Sequence, residues 1–177
     1  MRKVIVDHAR ELAEAAVSET GMGNPEHKVK KIILSATKTP GREEIPHTGR
    51  LRTASGLILS YMPQDTSFLS GTVLDFAREN HLDETLFLTI LRKLDFPRVQ
   101  FEKDMRSFSG GQKKKALLAK TLSERAHLYV WDEPLNFVDV LSRMQVRDLL
   151  LEANPTMLFV EHDKTFVSEI ATRRLLL

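Results

Sequence analysis

Cysteine is absent from the 177 residues. That excludes a disulfide framework and any zinc site built on thiolates, and it agrees with a reducing compartment. No apolar run approaches the roughly 20 residues a membrane span requires. The start, Met1-Arg2-Lys3-Val4-Ile5-Val6-Asp7, lacks the apolar core of a secretory signal. The expected location is therefore cytoplasmic, with another chain crossing the bilayer if the protein serves a membrane machine. Net charge is only +2, so bulk electrostatics gives no argument for nucleic acid, and an RNA contact would need a local patch. Internal repeats and low-complexity stretches are also missing. So is any Gly-Lys pair, and with it the G-x-x-x-x-G-K-[ST] loop that cradles nucleotide phosphates.

What is present is an ordinary globular composition, 42% hydrophobic and 28% charged, long enough for one domain with its own core. Val4, Ile5, Ala9, Leu12, Ala13, Ala16 and Val17 recur at helical spacing and predict an amphipathic helix within 1–20. Residues 21–50 are rich in glycine and proline and predict loop, with one short element at Ile32-Ile33-Leu34. From Leu51 onward the pattern alternates. Strands are expected at Leu57–Met62, Leu128–Trp131, Met157–Val160 and Leu175–Leu177, and helices at Thr72–Glu79, Asp83–Leu94, Lys113–Leu122, Leu141–Glu152 and Lys164–Ala171. Strands alternating with helices imply an α/β domain around a parallel sheet, and the helices within 72–106 suggest a helical subdomain.

Ser109-Gly110-Gly111-Gln112 opens one helix. Two glycines let backbone approach an anion, and the free N–H groups of a helix start favour phosphate. A flexible turn with Ser109 as helix cap explains the same residues. Asp132-Glu133 follows a buried strand, where parallel sheets bind ligands. There Asp132 suits Mg²⁺, largely through water, and Glu133 suits orienting or deprotonating a water aimed at a γ-phosphate. An acidic turn before Pro134 is the plainer reading. His162, just past the next strand, could donate to a phosphate oxygen or simply be solvated. Gln64 could touch the metal or the water, or serve only in the turn after Pro63. Asp139 could bridge subunits, although local sequence favours a helix N-cap. The run Lys113-Lys114-Lys115 is expected to be a solvated helix face. Trp131 and Phe159 are expected in the core.

Taken together and in this order, these residues resemble the ABC-type ATPase cassette. Tyr61-Met62-Pro63-Gln64 is similar to its Q-loop, Ser109–Gln112 to its signature motif (with Phe108 where leucine is usual) and Leu128–Asp132 to its Walker B strand. Glu133 resembles the catalytic glutamate, Asp139 the D-loop aspartate and His162 the switch histidine. Glu161-His162-Asp163-Lys164-Thr165-Phe166 further resembles the ABC-F class, which has two cassettes and no membrane domain. Asp132-Glu133-Pro134-Leu135-Asn136-Phe137-Val138-Asp139-Val140 resembles its Lsa/Vga-like antibiotic-resistance branch, whose members protect the ribosome. The resemblance covers about 45–177 and is similar to the C-terminal cassette. It implies a P-loop NTPase-like fold, ATP and Mg²⁺ as ligands, and a second cassette and the ribosome as partners. Glu133 and His162 would act on the water. Gln64 and Asp132 would hold the metal, while Ser109, Gly110, Gly111, Gln112 and Asp139 would face a nucleotide shared with the partner.

The family places its P-loop a few dozen residues before Gln64, where this chain has Gly21-Met22-Gly23-Asn24-Pro25-Glu26-His27-Lys28. Residues 1–44 are therefore left unassigned, and the expectation is a truncated or degenerate N-terminal part, of the kind a reading-frame change across about 20–45 would produce. Weak ATP binding by the lone chain is expected. A non-catalytic pseudo-cassette lending its signature motif to another cassette, an inactive gene remnant, and a transporter ATP-binding subunit are the competing readings.

Overall fold

The computed structural model describes the backbone of residues 3–6, 58–173 and 175–176, and the side chains of 58–173. The strands are β1 (Lys3–Val6), β2 (Leu59–Met62), β3 (Leu128–Asp132), β4 (Met157–Glu161) and β5 (Leu175–Leu176). The helices are α1 (Val73–Glu79), α2 (Glu84–Lys93), α3 (Gly110–Ser123), α4 (Val140–Ala153) and α5 (Lys164–Ile170), with single 3₁₀ turns at Arg98–Gln100 and Met105–Ser107. One sheet runs in the order β2-β3-β4-β1-β5. Its first three strands are parallel, with Met62 opposite Trp131 and Asp132 opposite Val160. The protein is thus α/β, with a parallel sheet at its centre.

The helix expected within 1–20 is not what forms at its start. Lys3–Val6 is a strand, antiparallel to both β4 and β5. Val4, Ile5 and Val6 are all β-branched, a stretch suited to a pleated sheet, and β4 on one side and β5 on the other offer backbone partners. The rest of the expected helix, Ile32–Leu34 and the loop around them lie outside the described residues.

Elsewhere local chemistry sets the element boundaries. Thr72 caps α1 through a reciprocal bond with Asp75, and Asp83, Asp139 and Asp163 cap α2, α4 and α5. Strands β3 and β4 are buried along nearly their whole length, as continuous apolar runs covered on both faces should be. On one face Met62, Trp131 and Phe159 meet the helices in the main core. On the other, Leu128, Val130 and Val160 cluster with Leu59, Tyr61 and Leu158. The helical stretch after β2 joins the main core through Phe76, Phe87, Leu91 and Leu94, and Phe96 packs its ring 5.4 Å from that of Phe108. Gly71, at φ +75°, accepts from the Met105 N–H at 2.8 Å, which ties the two ends of this excursion together.

Candidate functional site

Because β2, β3 and β4 are parallel, their carboxyl ends lie on one edge of the sheet, the edge where such folds bind ligands. The residues that follow them are Pro63-Gln64, Glu133 and His162. Glu133 is the centre of the group. It is 3% exposed, its N–H donates to the Val160 carbonyl at 3.0 Å, and its φ is +49°. A left-handed backbone is costly for a residue with a side chain and is held only where its surroundings enforce it. Gln64 Nε2 donates to Glu133 Oε2 at 2.7 Å, and the Asn136 side-chain amide donates to the same oxygen. His162 Nε2 lies 3.4 Å from Glu133 Oε1, with its side chain about half exposed. One buried carboxylate is thereby held by two amides and faces an imidazole.

Glu161, also buried, organises the backbone around this group. Its carboxylate accepts from the Leu135 N–H at 3.1 Å, the His162 N–H at 2.7 Å and the Asp163 N–H at 3.2 Å. It thus joins the turn after β3 to the turn after β4. Asp132 is buried at the last position of β3. No group of three acidic or histidine side chains poised for a metal occurs among the described residues.

Ser109 and Gln112 bond to each other at the start of α3. The Gln112 N–H donates to Ser109 Oγ at 3.3 Å, and the Ser109 N–H donates to Gln112 Oε1 at 3.0 Å. This is the capping arrangement. The two glycines differ. A Cβ on Gly111 would sit 2.5 Å from the Phe137 carbonyl oxygen, whereas one on Gly110 would meet the Phe137 ring at 3.4 Å. Gly111 is needed for packing against the turn that leads away from Glu133. Phe137 itself is at φ +64° and 80% exposed.

Asp139 is the N-cap of α4. It accepts from the Ser142 N–H at 2.9 Å, and Lys115 Nζ pairs with it at 2.8 Å. Partial desolvation works to raise its pKa, but the Lys115 ammonium and the Ser142 N–H and hydroxyl together hold it well below the usual carboxylate range.

The lysine run is not a solvated face. Lys114 is 1% exposed, Lys115 is also buried, and Lys113 is partly covered. The helix lies too deep against the sheet edge for a uniform polar stripe. Lys115 is drawn in by Asp139, and Lys114 by the Pro63 carbonyl at 3.2 Å. Burial pushes the Lys114 pKa down from its ordinary value, and the charges of Asp132, Glu133, Glu161 and Asp65 pull it partly back. The structure therefore adds Asn136, Glu161, Lys114 and Lys115 to the residues singled out in the sequence. Asn136 stands three residues after Glu133, a spacing that could have flagged it. Nothing local distinguishes Lys114 from Lys113.

The ABC transporter family matches residues 30–136, more than half of the chain. YdiF of Bacillus subtilis, named as an ATP-binding protein, is 32% identical over 132 residues, 72% of this chain and 21% of its own length. The ribosome protection protein VmlR of Bacillus subtilis is 44% identical over 71 residues, 40% of this chain and 13% of its own. Among solved structures, a complex of an archaeal ribosomal stalk protein with an archaeal ribosome recycling factor matches with a TM-score of 0.65. The identity is 23%, over 86% of this chain and 30% of that one, a likeness of fold. The chain thus spans about a fifth of the length of YdiF. No helix among the described residues is long and apolar enough to cross a membrane.

Proposed function

We propose, because this chain belongs to the ABC transporter family, that its Glu133 group is the water-activating half of an ATP site. The observation that carries the reading is the buried Glu133 carboxylate, held by Gln64 and Asn136 and facing His162. A buried carboxylate whose orientation is fixed by two donors on one oxygen is set to take a proton from a water, which is what a general base does. His162, half exposed beside it, would donate to a terminal phosphate oxygen. Gln64 spends its amide N–H on Glu133, which leaves its carbonyl oxygen as the atom suited to a cation. Asp132 would hold the same Mg²⁺ through water. The bound metal would supply charge neutralisation at the phosphates. Ser109, Gly110, Gly111 and Gln112 would present the start of α3 to a nucleotide held by a second cassette, with Asp139 beside that junction.

The finer reading is an ABC-F protein of the Lsa/Vga-like antibiotic-resistance branch, cytoplasmic and acting on the ribosome. Its support is the Asn136-Phe137-Val138-Asp139 turn and the resemblance to VmlR. A second reading, a pseudo-cassette that lends its signature helix without turning over ATP, is favoured by the lack of any Gly-Lys pair. In P-loop enzymes that lysine and its loop supply the main grip on the phosphates. Titration of MgATP into the chain, followed by mixing with an intact cassette, separates the two. The first reading expects weak binding and a turnover abolished by Glu133→Gln. The second expects stimulation of the partner's ATPase that survives Glu133→Gln and is lost in Ser109→Arg. Neither ATP binding nor stimulation would end both.

A further inference from the structure

We propose that Lys114 is a positioning residue which, by holding the Pro63 carbonyl, keeps Gln64 seated on Glu133. The purpose of this tether rests on the nucleotide reading above, whereas its geometry does not. Lys114 Nζ donates to the Pro63 oxygen at 3.2 Å. The Pro63 carbonyl and the Gln64 N–H belong to one planar peptide unit, and proline's ring restricts φ on the preceding side. Gripping that oxygen therefore sets the orientation of the plane from which Gln64 starts. Gln64 Nε2 then reaches Glu133 Oε2 at 2.7 Å. The route from ammonium to carboxylate is two hydrogen bonds, one rigid peptide and one side chain.

Two further observations support this role. Taking an ammonium out of water costs several kcal/mol unless it is well compensated, and a methionine or leucine would fill position 114 without that cost. What the ammonium adds is its hold on the Pro63 carbonyl, together with its attraction to the nearby carboxylates of Asp132, Glu133, Glu161 and Asp65. Its neighbour Lys115 has an ion pair with Asp139 at 2.8 Å, whereas Lys114 reaches across to the end of β2. Lys114 also lies in the first turns of α3, the helix opened by Gly110 and Gly111. A displacement of α3 is thus passed directly to Gln64, and the helix start and the carboxylate group move together.

The test uses the full, nucleotide-free chain labelled with ¹⁵N. In wild type the Gln64 side-chain amide resonances are set by the bond to Glu133. In Lys114→Met they are expected to move toward free-amide positions, while those of Gln145 stay in place, and Lys114→Arg, which keeps charge and donors, is expected to restore them. A merely structural role would change the melting temperature without this selective shift. Lys114→Leu serves as a second apolar variant if Lys114→Met does not fold. Gln64 resonances unchanged in a folded apolar variant would overturn the proposal. MgATP titrated into the same samples reports separately on the nucleotide reading. No MgATP uptake by wild type, together with the Gln64 shift in Lys114→Met, keeps the tether and removes that reading. Binding with Gln64 unmoved does the reverse.

Discussion

Gly111→Ala tests how tightly the start of α3 is packed against the turn after β3. The new methyl carbon would lie 2.5 Å from the Phe137 carbonyl oxygen, a backbone atom. Ordinary contact needs about 0.9 Å more, so either α3 or the turn must retreat. The turn resists, because the Leu135 N–H is held by Glu161 at 3.1 Å and Val138 N–H donates to the Leu135 carbonyl at 3.1 Å. Overpacking of this kind costs about 1–3 kcal/mol, and the better helix propensity of alanine returns up to about 1 kcal/mol. With the full return subtracted, about 0–2 kcal/mol of loss remains, which lowers Tm by up to about 8 °C for a chain of this size, and the deficit against Gly110→Ala is the whole overpacking cost of about 1–3 kcal/mol. Gly110→Ala is the internal control. Its Cβ would meet the Phe137 ring at 3.4 Å, and a side chain can yield, so its Tm should stay level or rise. Thermal unfolding followed by circular dichroism compares the two variants. A Gly111→Ala protein as stable as Gly110→Ala would refute the packing.

Under the proposed ATP chemistry, Glu133→Gln removes the general base and should lower turnover about 100-fold or more, read as phosphate release with MgATP affinity unchanged. Asp139 has a depressed pKa in the folded protein, so its contribution to stability is fully present above the unfolded value of about 3.9 and is lost as pH falls through the lower folded value. Asp139→Asn should therefore lower Tm at neutral pH and flatten its fall below about pH 4, as a series of melts from pH 7 to 3 would show. Phe137→Gly relieves a left-handed φ of +64° and deletes an exposed ring, so Tm is expected to hold or rise, by the equivalent of up to about 1 kcal/mol. Asp163→Ala removes the cap of α5, whose carboxylate accepts from Thr165 and Phe166 and pairs with Arg143 at 3.0 Å; chemical denaturation should show a loss of about 1–2 kcal/mol.

Helix starts were legible because each is set by a residue beside it: Thr72, Asp83, Ser109 and Asp163 bond to the next few backbone amides. Strands β3 and β4 were legible for a similar reason, since burial on both faces leaves an unbroken apolar run. Strand β1 was not, because its partners lie far along the chain, from Leu158 to Glu161, and no local window contains them. The carboxylate group was partly legible. Gln64, Glu133 and His162 each follow a strand, and parallel strands bring such positions to one edge. The donation from Asn136, the three amides gathered by Glu161 and the depth of Lys114 depend on how turns and α3 settle on that edge, and a lysine run reads as solvated until that depth is known.

The bond from Met105 to the Gly71 carbonyl fastens the neck of the helical excursion. Between those two points the helices also pack into the main core through Phe76, Phe87, Leu91 and Leu94, so rocking them as a unit would disturb that packing as well as this amide, with Gly71 at φ +75° as one pivot. The exchange rate of a single proton, on the nitrogen of Met105, therefore reports whether the helices swing relative to the sheet.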